Sequence, residues 1–118
     1  MPVIASQVRS GSDEYRANLT HNEGLCRRLR ELQDEAAAGG GPRAQARHRE
    51  QGKLPVRERI TVLCDHGTPF LEIGMLAAHG VYPEPVPAAG LVAGVGVVSG
   101  RQCMIVANDA TVKGGTYY

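Results

Sequence analysis

The spacing of apolar positions changes along the chain, and each change predicts a different kind of element. Residues 1–18 carry no period and read as an extended, flexible arm. Thr20-His21-Asn22-Glu23 then has capping-box spacing, in which the Thr20 hydroxyl can accept from the Glu23 N–H while the Glu23 carboxylate reaches back to the N–H of Thr20. A helix is predicted to start there. Leu25, Cys26, Leu29, Leu32 and Ala36 recur at helical spacing, with Arg27, Arg28, Arg30, Glu31, Asp34 and Glu35 on the other face, until Gly39-Gly40-Gly41. Such a helix is amphipathic and needs a surface to cover its stripe. Pro42 opens a short polar helix over 43–51, closed by Gly52. Pro55 opens a third helix, whose Val56, Ile60, Leu63 and Cys64 fall on one stripe before Gly67.

The period then shortens. Pro69-Phe70-Leu71-Glu72-Ile73 reads as a short strand, and 75–87 as a loop broken by Gly80, Pro83, Pro85 and Pro87. Residues 91–98 and 102–107 flank Ser99-Gly100-Arg101 and predict a β-hairpin with a buried second strand. Gly94 and Gly96, two apart on the first strand, leave one face bare, so something must pack very close to it. Helices followed by sheet predict an α/β protein, with a helical collar over 19–67 and a core that begins at 68 and runs to 118.

Composition limits what this chain can be. It has 118 residues and 42% hydrophobic content, with no Trp and one Phe, so small aliphatic side chains must supply the core. Thirteen basic and twelve acidic residues leave a formal charge of +1, which favours neither nucleic acid nor an anionic membrane as partner. Three widely spaced cysteines, Cys26, Cys64 and Cys103, argue against a disulfide framework and for reduced core thiols in the cytoplasm. No apolar run approaches the ~18 residues of a membrane span, and neither a signal peptide nor an Arg-rich presequence is evident.

Several motifs fail as chemistry. Gly94-Val95-Gly96-Val97-Val98-Ser99-Gly100 places its last glycine one residue late for a dinucleotide fingerprint, and a strand follows instead of a helix. Cys64, Asp65, His66 and His79 lack paired ligand spacing, so no metal is expected. Ser99 has no nucleophile-elbow context. Two features survive. Arg43, Arg47, Arg49, Lys53, Arg57 and Arg59 form a basic run, relieved only by Glu50 and Glu58, that reads either as a solvated or subunit-facing surface or as a phosphate-docking one. With no aromatic interleaving, nucleic acid is the less suitable phosphate partner.

The second feature is the polar loop that leaves the last strand. The side chains of Asn108, Asp109 and Thr111 can fix a tight turn, and Gly114-Gly115 lets backbone approach a ligand. Amides held in this way can polarise a carbonyl or stabilise an enolate, although a plain strand-to-helix connection would carry the same residues. A chain that stops on its best candidate site is expected to be part of a larger protein.

Taken in order, Gly39-Gly40-Gly41, Ala46-Arg47-His48, Gly52-Lys53-Leu54, Arg57-Glu58-Arg59-Ile60, Pro69-Phe70-Leu71-Glu72 and the continuous run from Cys103-Met104-Ile105-Val106-Ala107-Asn108-Asp109 to Ala110-Thr111-Val112-Lys113-Gly114-Gly115-Thr116-Tyr117-Tyr118 resemble the start of a biotin-dependent acyl-CoA carboxylase carboxyltransferase (β) subunit. The 3-methylcrotonyl-CoA carboxylase branch is the best fit. The resemblance implies an incomplete crotonase-like fold of ββα repeats, whose first domain binds acyl-CoA. It implies transfer of carboxylate from carboxybiotin, carried by a partner α subunit, to an acyl-CoA in leucine degradation, within a hexameric core of β subunits. It makes Thr111, Val112, Lys113, Gly114 and Gly115 the first acyl-CoA loop, and Lys53, Arg57 and Arg59 candidate contacts to CoA phosphates.

On the same resemblance no catalytic residue lies within this chain, which is expected not to catalyse alone. His66 and His79 depart from the branch's usual Pro and aromatic residue, which bears on the acyl group and not on the family. Geranyl-CoA is the rival substrate, and a stand-alone CoA-binding or subunit-interaction module is the non-catalytic alternative. Made alone, the chain is expected to aggregate through the exposed edge of residues 102–107.

Overall fold

A computed structural model describes residues 3–116 and 118. Its elements in chain order are α1 (Asp13–Ala37), α2 (Pro42–Glu50), α3 (Val56–Leu63), β1 (Leu71–Ile73), a 3-10 turn (Pro87–Gly90), β2 (Leu91–Val98), β3 (Arg101–Asn108) and a second 3-10 turn (Lys113–Gly115). The chain divides into two compact units, one ending at Glu31 and the other beginning at Leu32.

In the first unit α1 begins seven residues before the predicted capping box. Ser12 caps it: the hydroxyl accepts from the Tyr15 N–H at 3.2 Å and the carbonyl from the Arg16 N–H at 3.1 Å. Asp13 and Glu14 supply the acidic first turn that opposes the helix dipole. Thr20 therefore lies inside a helix already started. Leu19, Leu25 and Leu29 are about half exposed, and Cys26 is exposed instead of being a core thiol.

The second unit holds the sheet and its core. Pro42 takes the first helical position of α2, and Gly52, at φ +71°, turns the chain back so that the Lys53 N–H reaches the His48 carbonyl. α3 buries Val56 and Ile60 as predicted but stops at Leu63. Cys64 is extended, because the Asp65 N–H pairs with the Val97 carbonyl at 2.8 Å, so Leu63 points outward while Cys64 packs on the core.

The strands form an antiparallel sheet in the order β1-β2-β3. The hairpin turn is two residues long, Ser99 and Gly100 both at positive φ, and each of their N–H groups donates to the Asp65 carboxylate at 2.7 Å. β2 is the buried strand. β3 is an edge in which only Ile105 is buried, while Met104 and Val106 face outward, contrary to the expectation that the second hairpin strand is buried. Burial goes instead to the central strand, which has a neighbour on both sides.

Val56, Ile60, Val92 and Ile105 form the core, with Phe70, Cys64 and Cys103 packed against it. The two strand glycines let Phe70 and Cys64, from the segment that joins α3 to β1, lie directly on the sheet. A Cβ on Gly94 would lie 2.5 Å from Phe70 Cζ, and one on Gly96 would lie 2.7 Å from Cys64 Sγ. The bare face expected from the sequence is filled by one ring and one thiol.

Candidate functional site

The loop after β3 is held from beneath by one buried carboxylate. Asp109 is 3% exposed, and its N–H donates to the Gly90 carbonyl at 2.9 Å. Its Oδ1 accepts from the Thr111 N–H at 2.9 Å and from the Thr111 hydroxyl at 2.6 Å. The same hydroxyl oxygen accepts from the Gly40 N–H at 3.0 Å and from Gln45 Nε2 at 3.3 Å. Thr111 thus donates once and accepts twice, which uses the full capacity of a hydroxyl. Asn108 Nδ2 closes the far side by donating to the Gly115 carbonyl at 3.1 Å. The local bonds expected of Asn108, Asp109 and Thr111 are all present.

The glycine run before α2 acquires its reason here. Gly39 is at φ +56°, and a Cβ on it would lie 2.5 Å from Asp109 Oδ2, while one on Gly40 would overlap the Thr111 backbone. The run ends a helix and also lets two distant backbones touch. Gln45, Gly39 and Gly40 are parts of the site that local sequence patterns did not reveal, since their partners lie some seventy residues away.

Below the loop, Ala88 and Ala89 are buried at φ +50° and +54°, followed by Gly90 at +75°. A left-handed conformation costs an L-residue roughly 1–2 kcal/mol. The bond from Asp109 to Gly90 and the burial of Val112, 2% exposed, help to hold it.

The loop and α2 together wall a groove of about 580 Å³, lined by Arg43, Ala44, Arg47, His48, Gln51 and Lys53 on one side and by Gly40, Ala110, Thr111 and Gly114 on the other. That volume is within the ~300–1,000 Å³ typical of small-molecule sites. The lining contains no carboxylate. Lys53 donates to the neutral Gln51 Oε1 at 3.0 Å, and His48 Nε2 lies 3.1 Å from the Leu54 carbonyl oxygen.

The other sequence-predicted cations lie elsewhere. Arg57 makes a two-pronged pair with Glu72, at 3.0 and 2.5 Å, and also donates to the Ala37 carbonyl. Arg59 donates to the Asn108 carbonyl at 2.6 Å. Arg49 pairs with Glu58, an interaction that raises the Arg49 pKa and holds the Glu58 carboxyl below its usual value. Of the three candidate phosphate contacts only Lys53 lines the groove; Arg57 and Arg59 brace the fold.

Lys113 likewise turns away from the groove. Its ammonium pairs with Glu84, which raises the lysine pKa and lowers that of the glutamate. Glu84 belongs to a second, largely apolar groove of about 510 Å³, between the end of α1 and the 75–88 loop, where Leu32, Leu76, Tyr82 and Val86 are among the lining residues. Among the described residues no three His, Cys, Asp or Glu side chains gather in a metal-binding group, and no helix is long and apolar enough to cross a membrane.

Comparison with known proteins adds the family context. Residues 47–118 match the carboxyl transferase domain model. A probable methylcrotonoyl-CoA carboxylase beta chain of Drosophila melanogaster is 48% identical over 98% of this chain and 20% of its own length. The biotin-dependent 3-methylcrotonyl-coenzyme A carboxylase beta1 subunit of Mycobacterium tuberculosis is 61% identical over 70% of this chain and 16% of its own. Among solved structures, the beta subunit of geranyl-CoA carboxylase from P. aeruginosa superposes with a TM-score of 0.74 at 29% identity, over 98% of this chain and 22% of that one. The chain spans about a fifth or less of the length of these relatives. Helices followed by a small antiparallel sheet are therefore part of a crotonase-like α/β fold.

Proposed function

Because the chain belongs to the carboxyl transferase domain family, we propose that it is the N-terminal part of a subunit that moves carboxylate from carboxybiotin to an acyl-CoA, with 3-methylcrotonyl-CoA as the substrate. The observation that carries this reading is 48% identity, across nearly the whole chain, to a methylcrotonoyl-CoA carboxylase beta chain. Carboxybiotin, on the carrier domain of an α subunit, supplies an activated carboxyl group. This chain supplies part of the acyl-CoA site, and the catalytic and biotin-facing groups belong to the rest of the protein. No metal is assigned to it.

The loop of Thr111, Val112, Lys113, Gly114 and Gly115 is its contribution to binding the thioester. Backbone N–H groups of this loop are donors of the kind that a thioester carbonyl accepts. Their backbone is fixed by Asp109 and Thr111 before any ligand arrives, so little ordering is left to be done on binding. Lys113 supports the loop through Glu84 and does not enter the basic groove.

Other copies of the subunit and the biotin-carrying subunit are the proposed partners, in a hexameric arrangement; one solved neighbour, transcarboxylase 12S, is described as a hexamer. Free thiols suit a reducing compartment, proposed to be the cytoplasm. The Drosophila and Arabidopsis relatives are named mitochondrial, and cell fractionation decides between the two. For the substrate, the complete subunit with its biotin-carrying partner is assayed for carboxylation of 3-methylcrotonyl-, geranyl- and propionyl-CoA. The highest kcat/KM is expected for 3-methylcrotonyl-CoA. A preference for geranyl-CoA overturns the substrate, and no carboxylation of any of the three overturns the activity.

A further inference from the structure

We propose that Cys64 is a peroxide-sensitive thiol and that Cys103 is the thiol that resolves it, so that oxidation joins the segment after α3 to the edge strand β3 by a reversible disulfide. The proposal is independent of the carboxyl-transfer reading, which uses neither residue.

Register places the two side chains on one face of the sheet. Gly96 on β2 pairs directly with Cys103 on β3, and the side chains of a directly opposed pair point the same way. The Cys64 thiol occupies the space over Gly96, 2.7 Å from where a Cβ would stand. Cβ positions of opposed residues lie roughly 4.5–5.5 Å apart, so the Cys103 Cβ is one strand spacing from that point. Side chains of β3 already reach it, since Ile105 Cδ1 lies 3.1 Å away, and Gly96 has no side chain of its own to separate the thiols. Cys64 and Cys103 both pack against the core of Val56, Ile60, Val92 and Ile105.

Access gives the two thiols different roles. Both are free and partly exposed, but only Cys64 lines the groove of about 370 Å³ that Thr61, Asp65 and His66 help to wall. A small oxidant entering that groove meets Cys64 first. Cys64 lies past the end of α3 in extended backbone, and the Cys103 thiol has only a weak sulfur bond, 3.5 Å to the Arg101 carbonyl. Rotation about χ1 of these residues is the first movement that bond formation requires.

The chemistry needs one oxidant, hydrogen peroxide. The Cys64 thiolate attacks a peroxide oxygen, the O–O bond breaks, and hydroxide leaves a sulfenic acid on Cys64. The Cys103 thiolate then attacks the Cys64 sulfur, the S–O bond breaks, and the oxygen departs as hydroxide, which the two thiol protons convert to water along with the first. Two thiols lose two electrons in all, and one peroxide becomes two waters. A dithiol reductant reverses the bond by exchange. While it lasts, the disulfide closes a loop from residue 64 to residue 103 that contains β1 and β2, which restricts the unfolded chain.

The complete subunit, purified with its biotin-carrying partner, is reduced, exposed to hydrogen peroxide, blocked at its remaining thiols, digested and mapped by mass spectrometry. Most of the Cys64 is expected in a peptide linked to Cys103 and released by dithiothreitol. Recovery of both thiols unmodified, or of Cys64 as sulfinic acid without a linked peptide, overturns the proposal. So does linkage of either thiol to Cys26 instead. This mapping uses the unaltered protein and does not depend on any variant folding. In Cys103→Ala the sulfenic acid on Cys64 should accumulate, trapped by dimedone several-fold above the parent level, while Cys103 in Cys64→Ala should take up no more dimedone than in the parent. Labelling of Cys103 as strong as that of Cys64 overturns the assigned roles. The linked form should unfold at a higher urea midpoint than the reduced form, and an equal or lower midpoint would show that the native fold does not present the pair.

Discussion

Six cations lie within seventeen residues of sequence, and the fold divides them into two groups with different uses. Around α3 and the hairpin, Arg57 and Arg59 are held against Glu72 and the Asn108 carbonyl, and Arg49 joins α2 to α3 through Glu58. Around the groove, Arg43, Arg47 and Lys53 find no opposite charge among the described residues. What separates the groups is the supply of acceptors. α3 packs on a sheet whose β1 strand brings up Glu72 and whose β3 strand ends on a free carbonyl, while α2 faces a loop whose one buried carboxylate is already taken up by Thr111. One region ties its cations to carboxylate and carbonyl partners, and the other leaves them along a groove without a carboxylate in its lining.

Gly94→Ala should produce the largest effect, because the new methyl meets both Phe70 and the Leu71 carbonyl, and a backbone oxygen cannot be moved by changing a rotamer. A loss of about 3 kcal/mol is expected, at the upper end for overpacking, measured by urea unfolding. The change also tests whether the regions are separate. Asp109 is bonded to Gly90 and Arg59 to Asn108, so amide protection in α2 should fall together with that in the sheet. Protection that persists in α2 alone would make the groove an independent unit.

Arg57→Ala comes next. It leaves the Glu72 carboxylate, whose side chain is only 17% exposed, without its partner, for an expected loss of about 2 kcal/mol. Arg43→Ala should move stability by less than about 0.5 kcal/mol, as befits an exposed charge with no ion-pair partner among the described residues. Equal losses in the two variants, by the same urea measurement, would erase the distinction between the groups.

Acid should have the smallest effect. Glu58 and Glu84 have lowered pKa values because Arg49 and Lys113 donate to them. A carboxyl whose folded pKa is depressed adds stability that is fully present above its unfolded value of about 4.3 and fades as pH falls through the lower folded value. Both pairs are exposed, so the effect is screened by solvent and salt. Unfolding curves between pH 6 and pH 3 should have a gentler slope in Glu58→Gln/Glu84→Gln than in the parent, and identical slopes would show that neither pair contributes.

Legibility in the sequence followed the range of the interactions. The hairpin, α2, α3 and the polar loop were readable because prolines, glycines and short-period patterns act within a few residues. The start of α1 was missed because two cap patterns compete, and Ser12, followed by two acidic residues, captures the helix first. β3 is the edge expected of residues 102–107, but the burial also assigned to it failed, because an apolar run does not say how much of a strand the rest of the fold covers. Arg57 and Arg59 looked like ligand contacts, and no local pattern announces Glu72 or the Asn108 carbonyl as their partners.

By itself the sequence determined the elements, the family and the presence of a turn-forming loop next to a basic run, since these follow from propensity, periodicity and shared residues. Only the tertiary structure decided which cations face the loop, why Gly39 and Gly40 must be glycines, and that Lys113 points away from the basic groove. Those outcomes depend on partners up to some seventy residues apart, and charge pairing and steric approach are settled by where the backbone brings groups together, not by their order along it.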